Sequence, residues 1–278
     1  MPELPELEVV CEVLRRRVVG QTLAAVEVLP PGGPIVVRDL TAAGFEKTLA
    51  GTTLTAVARR GKFLIFSLRA DPPPLFLVLN PKLSGRLQLA DPAAKRLPRT
   101  HVLFTFTGGG QLRYVDQKQM GQLYLTRAVD SVPGFAGLGP EPFDLTLEGF
   151  RLRLKPFHGE IKGVLTRGEV VAGIGNAYAD EILWAARLHP YRKRSQLTAE
   201  EVERLYDAMQ TTLREAVDKV RLEMGEQIER KPRDFLAVHM KTGEPCPRCG
   251  TPISLVGANQ RITNFCRTCQ PGGLIKGM

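Results

Sequence analysis

The sequence has no apolar run of membrane-spanning length, no basic stretch at its start, no internal repeat and no low-complexity tract. Each absence removes a class. A membrane helix needs about 20 apolar residues, so none is expected. A secretory leader needs a basic segment ahead of an apolar one, whereas this chain opens with the acidic stretch Met1-Pro2-Glu3-Leu4-Pro5-Glu6-Leu7-Glu8. The expectation is a cytoplasmic protein. Cysteine is also scarce, at five residues, and four of these fall at Cys246 or beyond. The fifth, Cys11, sits on the apolar face of a helical pattern and reads as core.

What is present is ordinary for a globular protein: 43% hydrophobic and 24% charged residues in a chain of 278. That length accommodates two domains and a small appendage. Charge is less ordinary. Lys and Arg outnumber Asp and Glu by 38 to 29, and residues 151–278, with 21 basic and 15 acidic side chains, carry +6 of the net +9. Such an excess favours a polyanionic partner, although a plain basic enzyme would also show it.

Residues 7–19 place Leu7, Val10, Cys11, Leu14 and Val18 at helical spacing ahead of Gly20. From about 22 to 128 the pattern becomes short β-rich runs, among them Thr53–Ala58, Lys62–Leu68, Leu75–Asn80, His101–Thr107, Gln111–Asp116 and Gly121–Arg127. Many strands without intervening helices predict an antiparallel sandwich or barrel. The Pro/Gly-rich stretch 129–142 marks a boundary. Beyond it, Thr198 and Glu201 form a capping box ahead of an amphipathic helix carrying Val202, Leu205, Met209, Leu213 and Val217. A shorter helix is expected with Asn176 as its N-cap, after the tight turn Val171–Gly175 and a helical segment at 163–169. The predicted domains are 1–130, a linker at 131–142, a helical domain at 143–238 and a cysteine module at 239–278.

Cys246, Cys249, Cys266 and Cys269 have the spacing C-x2-C-x16-C-x2-C. Two such turns closing on one ion make a four-cysteine zinc site. Disulfides or a redox pair are the other readings, and a cytosolic chain disfavours them. Four sulfur ligands leave no open position, so this zinc is expected to be structural and no catalytic metal is expected. The stretch between the pairs, Asn259-Gln-Arg261-Ile-Thr263, puts a basic residue at a hairpin tip.

Five motifs in order then resemble one family, formamidopyrimidine-DNA glycosylase with its relative endonuclease VIII: Pro2-Glu3-Leu4-Pro5-Glu6, Arg59-Arg-Gly-Lys62, Leu138-Gly-Pro-Glu-Pro142, Ile161-Lys162 followed by Val171–Tyr178, and Gly243–Gln270. Leu4 points to the formamidopyrimidine branch. The resemblance implies an α+β multidomain protein. An N-terminal antiparallel β-sandwich with flanking helices would precede a helical helix-two-turn-helix domain with a zinc-ribbon hairpin. DNA would lie in the cleft between the domains. The implied partner is damaged double-stranded DNA, bound by a monomer, so the protein would sit at the nucleoid.

The implied reaction is excision of an oxidised base through a Pro2 Schiff base, then strand cleavage by β,δ-elimination. Pro2, as the terminal amine once Met1 is removed, would be the nucleophile. Glu3 would protonate the sugar ring oxygen, with Glu6 one helical turn away sharing the site. Lys62 would stand beside the base or the 5′ phosphate and Arg261 would hold the 3′ phosphate. Asn176 and Lys162 would contact phosphates next to the lesion, with Tyr178 on the same DNA-binding helical element. The lesion-reading set departs from the family. Leu83, Lys118 and Met120 stand where Met, Arg and Phe are usual, and Arg99 with His101 replaces a His-x-His pair. The charged stretch 221–235 replaces a Gly/Thr-rich loop that caps an oxidised purine. A paralogue acting on oxidised pyrimidines, abasic sites or single strands, a non-catalytic damage binder, or a zinc-ribbon transcription or translation factor are the competing readings.

Overall fold

A computed structural model describes residues 1–70, 74–257 and 262–272. The chain divides into two compact units, one of Met1–Gly137 with Val220–Pro232, the other of Leu138–Lys219 with Arg233–Met278.

The first unit begins with α1 (Leu4–Val18), followed by β1 (Leu23–Val28), α2 (Gly33–Val36), β2 (Val37–Asp39) and α3 (Phe45–Leu49). Seven strands then run without a helix between them: β3 (Thr53–Arg60), β4 (Phe63–Arg69), β5 (Leu75–Asn80), β6 (Gly85–Ala90), β7 (Thr100–Phe106), β8 (Gln111–Asp116) and β9 (Gln122–Thr126). They form a four-stranded sheet of order β1-β7-β8-β6 and a five-stranded sheet of order β2-β9-β5-β4-β3. The pairing is antiparallel throughout except that the short β2 joins β9 in parallel, a departure from the all-antiparallel reading. β2 has three residues and follows a helical turn, so it enters the sheet edge from a crossover and not from a hairpin.

α1 is helical because its start is capped and its apolar side chains are periodic. Glu3 and Glu6 form a reciprocal capping box, the Glu6 carboxylate accepting the Glu3 N–H at 2.9 Å. Leu4, Leu7, Cys11, Leu14 and Val18 are buried on its inner face. Cys11 and Arg15 both donate to the Val57 carbonyl of β3, and Arg59 of that strand pairs with Glu8. Burial pushes the Cys11 thiol up to about 11, as befits a core residue.

The second unit contains α4 (Leu147–Leu154), α5 (Ile161–Leu165), α6 (Asn176–Ala185), most of α7 (Ala199–Met224) and the hairpin β10 (Ser254–Val256) with β11 (Thr263–Phe265). Its core gathers Phe150, Ile161, Leu165, Ile174, Ile182, Leu205, Met209 and Leu213. Thr198 and Glu201 exchange the two capping-box bonds, at 2.9 and 3.3 Å. Gly175, not Asn176, is the N-cap of α6. The Asn176 amide has a tertiary partner instead, described below. Among the described residues no helix is long and apolar enough to cross a membrane.

Candidate active site and zinc site

The capping box that starts α1 also places two carboxylates beside the N-terminus. Pro2, Glu3 and Glu6 are all buried, Glu3 at 1% and Glu6 at 2% exposure. The helix N-terminus supplies N–H donors and a favourable dipole for two carboxylates in so dry a place. Pro2 and Glu6 line a small, mainly apolar cavity of about 20 Å³ with Leu64, Leu79, Leu87, Met224 and Ile228. That volume holds about one water; it does not hold a base.

Lys62 lies in the two-residue turn between β3 and β4, half-buried, after Gly61 at φ +57°. A hairpin turn of this length needs positive φ at its first central position, which glycine adopts without steric cost. Leu83 is half-buried between β5 and β6, and Lys118 and Met120 are exposed between β8 and β9. Arg99 is exposed with φ +64°. His101 is not available to a ligand, being 4% exposed with Nε2 2.9 Å from the Asp116 carbonyl.

The stretch after α7 carries an attachment that sequence patterning missed. Arg221 makes two bonds to Glu12, at 2.8 and 2.9 Å, and holds that carboxyl below its usual range. Glu226 accepts from Arg16 and Arg17 at 3.1 and 3.2 Å, and Arg86 donates to the Glu229 carbonyl at 3.2 Å. Met224 and Ile228 are buried beneath these pairs. Residues 221–229 therefore form a wall of the cavity beside Pro2, tied to α1 and β6.

In the second unit the four cysteine sulfurs lie within 4.8 Å of one another. Cys249 and Cys266 are 3.4 Å apart, and Cys246 and Cys269 are 3.9 Å apart. A tetrahedral ion with Zn–S near 2.3 Å sets its sulfurs about 3.8 Å apart, so these residues fit one structural zinc. The outer shell fits as well. The Trp184 indole donates to Cys246 Sγ and the Cys269 N–H to Cys266 Sγ, both at 3.4 Å. Arg248 stacks 4.1 Å from the Trp184 ring. Gln270 bridges the Cys266 N–H to the Leu188 carbonyl, docking the module on the helical core.

Lys162 and Asn176 meet at the base of the hairpin. Asn176 Nδ2 donates to the Ile262 carbonyl at 2.9 Å and Lys162 Nζ to the same oxygen at 3.0 Å. Lys162 is 7% exposed, bonds Thr263 Oγ1 at 2.8 Å and pairs with Asp180 Oδ1 at 2.7 Å. Asp180, itself 1% exposed, also accepts from His239 Nδ1 at 2.8 Å and from the Asn264 N–H at 3.2 Å. Facing phosphate was the expectation for Lys162; the structure turns it inward, because a buried Asp180 needs a cation. Tyr178 is likewise inside, at 0% exposure, with Arg233 over its ring. Arg261 lies outside the described residues. Asp180, His239 and Asn264 escaped the sequence reading, though an Asp-Glu pair inside the apolar run Ala177–Ala185 was a signal that something buried would answer it.

Residues 1–123 match the formamidopyrimidine-DNA glycosylase N-terminal domain, 138–225 its H2TH domain, and 243–272 the zinc finger found in FPG and IleRS. The formamidopyrimidine-DNA glycosylase of Symbiobacterium thermophilum is 41% identical, covering 98% of this chain and 90% of that protein. That of Moorella thermoacetica is 39% identical over 92% and 94%. A Lactococcus lactis FPG mutant solved with DNA containing Fapy-dG superposes with a TM-score of 0.85 at 33% identity, covering 98% and 100%. MutM solved with DNA containing carbocyclic 8-oxo-G gives 0.83 at 34% identity over 98% and 100%. With three successive domain matches and near-complete coverage at this identity, the chain belongs to the formamidopyrimidine-DNA glycosylase family.

Proposed function

We propose that this protein removes oxidised purines from damaged double-stranded DNA, working as a monomer on the nucleoid, and that it then nicks the strand through the Pro2 amine. The observation that carries the chemistry is the capping box. It holds Glu3 and Glu6 buried at the start of α1 and leaves Pro2 one residue ahead of the N-cap, at a wall of the cavity. An α-amino group titrates about 2.4 to 2.7 units below a lysine, so a usable fraction is neutral near pH 7. The proline ring fixes where its lone pair points.

Loss of Met1 frees that amine. Its lone pair bonds to the deoxyribose C1′ as the C1′–N bond to the base breaks, and the base leaves with the bonding electrons and takes up the proton that the Pro2 nitrogen sheds. The C1′–O4′ bond then opens, Glu3 delivers a proton to O4′, and an iminium remains between Pro2 and C1′. The iminium acidifies the C2′ proton, whose removal expels the 3′ phosphate; a second elimination expels the 5′ phosphate, and water releases the sugar fragment. Lys62 serves the lesion side, and Arg261 the 3′ phosphate. Glu6 supports Glu3 through the capping box, and Asn176 and Lys162 support the Ile262 carbonyl next to Arg261. The bound zinc supplies fold and no chemistry.

Borohydride reduction in the presence of abasic-site DNA is expected to trap a covalent adduct whose mass places the sugar on Pro2. An N-terminally extended chain, in which the Pro2 nitrogen stays an amide, is expected to trap nothing. Equal trapping by the extended chain would overturn the assignment.

A further inference from the structure

Two turns of the first unit contain strained backbone. Lys82, between β5 and β6, has φ +47°, and Gln119, between β8 and β9, has φ +53°. Left-handed geometry at such side chains persists only where the surroundings over-determine it. Each strained residue is followed at once by an apolar one, Leu83 in the first turn and Met120 in the second.

One carboxylate over-determines both turns. Asp116, at the end of β8, is 0% exposed. Its Oδ1 accepts from the Ser84 hydroxyl in the first turn and from the Lys118 N–H at 3.2 Å in the second. Its Oδ2 accepts from the Tyr114 hydroxyl at 3.1 Å and from the Gly121 N–H at 2.8 Å. Ser84 Oγ in turn accepts from the Lys118 N–H at 2.9 Å, which joins the turns directly. The Tyr114 hydroxyl fills the gap between them so closely that a Cβ on Gly85 or Gly121 would collide with it. Among the described residues no cation pairs with Asp116, so four neutral donors balance the buried charge. Only a carboxylate accepts on both sides at once; an amide would turn a donor towards two of these groups.

At the outer ends Met120 is 47% exposed, Lys118 exposed and Leu83 half-buried. When a damaged base is flipped out of the stack it leaves a hole, and these three side chains, the lesion-reading set, are read as the ones that fill it. We propose that Asp116 is a positioning residue that sets Leu83, Lys118 and Met120 as one rigid wedge, so that discrimination of the base opposite the lesion depends on Asp116 although it is buried. The inference rests on that reading of the site but not on the Pro2 chemistry.

Equilibrium binding tests it without turnover, using duplexes that carry a stable abasic analogue opposite each of the four bases. Asp116→Asn and the milder Ser84→Ala are each expected to cut the ratio of best to worst opposite base at least threefold, with binding to undamaged duplex changed less than twofold. Leu83→Ala is expected to weaken abasic-duplex binding at least fivefold in the wild-type background and less than twofold beside Asp116→Asn, because the wedge is already loose. Should Asp116→Asn not fold, Ser84→Ala and its double variant with Leu83→Ala decide. An unchanged opposite-base ratio, a flat wild-type profile, or an equal Leu83→Ala effect in both backgrounds would overturn the proposal. Failure of borohydride trapping beside a wild-type profile that collapses in Ser84→Ala would sink the Pro2 assignment and leave the wedge standing.

Discussion

Replacing Lys162 by methionine separates anchoring from surface charge. The Lys162 side chain is 9% exposed and its partner carboxylate, Asp180, 0%. Removing the ammonium leaves Asp180, among the described residues, with only His239 Nδ1 and the Asn264 N–H, and breaking a buried pair in this way costs about 3–5 kcal/mol. Methionine returns part of this through apolar burial, about 1.5–3 kcal/mol for a full side chain. Here its end would lie against a carbonyl, a hydroxyl and a carboxylate, so little of that gain is realised. The expected loss for the second unit is about 3 kcal/mol. Asp180→Asn in the same chain is expected to recover about 1–2 kcal/mol by removing the stranded charge. Urea unfolding followed by fluorescence reads this unit alone, because the only tryptophan is Trp184. A loss under about 1 kcal/mol, within the range of an exposed pair, would refute the reasoning. So would a double variant as unstable as the two single losses added.

Three further outcomes follow from named contacts. Glu12→Gln should speed amide exchange in 221–229 by about two- to fivefold at neutral pH, the effect of one well-formed surface pair. Since Arg221 lowers the Glu12 pKa, the tie is fully present above the unfolded value of 4.5 and lost as pH falls through the lower folded value, so acid should loosen this segment in the wild type but not in the variant; parallel acid profiles would refute it. Removing zinc with a chelator should abolish damaged-DNA binding, because the β10–β11 hairpin is closed by the cysteines at its ends; unchanged binding after verified metal loss would contradict this. Lys118→Arg should sharpen opposite-base discrimination by restoring a planar bidentate donor; an identical profile would remove Lys118 from the reading role.

Much of the candidate site was legible because it is local. Glu3 and Glu6 are three apart, Thr198 and Glu201 likewise, and each C-x2-C pair spans a single turn, so spacing alone sets the geometry. The runs that became β3, β4, β5, β7, β8 and β9 were readable for the same reason; β1, β2 and β6 fall outside them, and the three residues of β2 carry too little pattern. What spacing cannot reach is which distant group satisfies a charge. Glu12 and Arg221 are 209 residues apart, and Lys162 meets Thr263 across 101. Asp116 stands two residues before Lys118 and four before Met120, and nothing in its neighbours announced that Ser84 would reach it.

The amino-acid sequence by itself thus determined the capped N-terminus, the four cysteines that fit zinc and the family. Tertiary structure decided which charged residues face inward. It turned Lys162 to Asp180, tied residues 221–229 to α1, and gave Asp116 to two turns at once. The reason is that a buried charge must be answered by whatever donor or counter-ion the fold brings near.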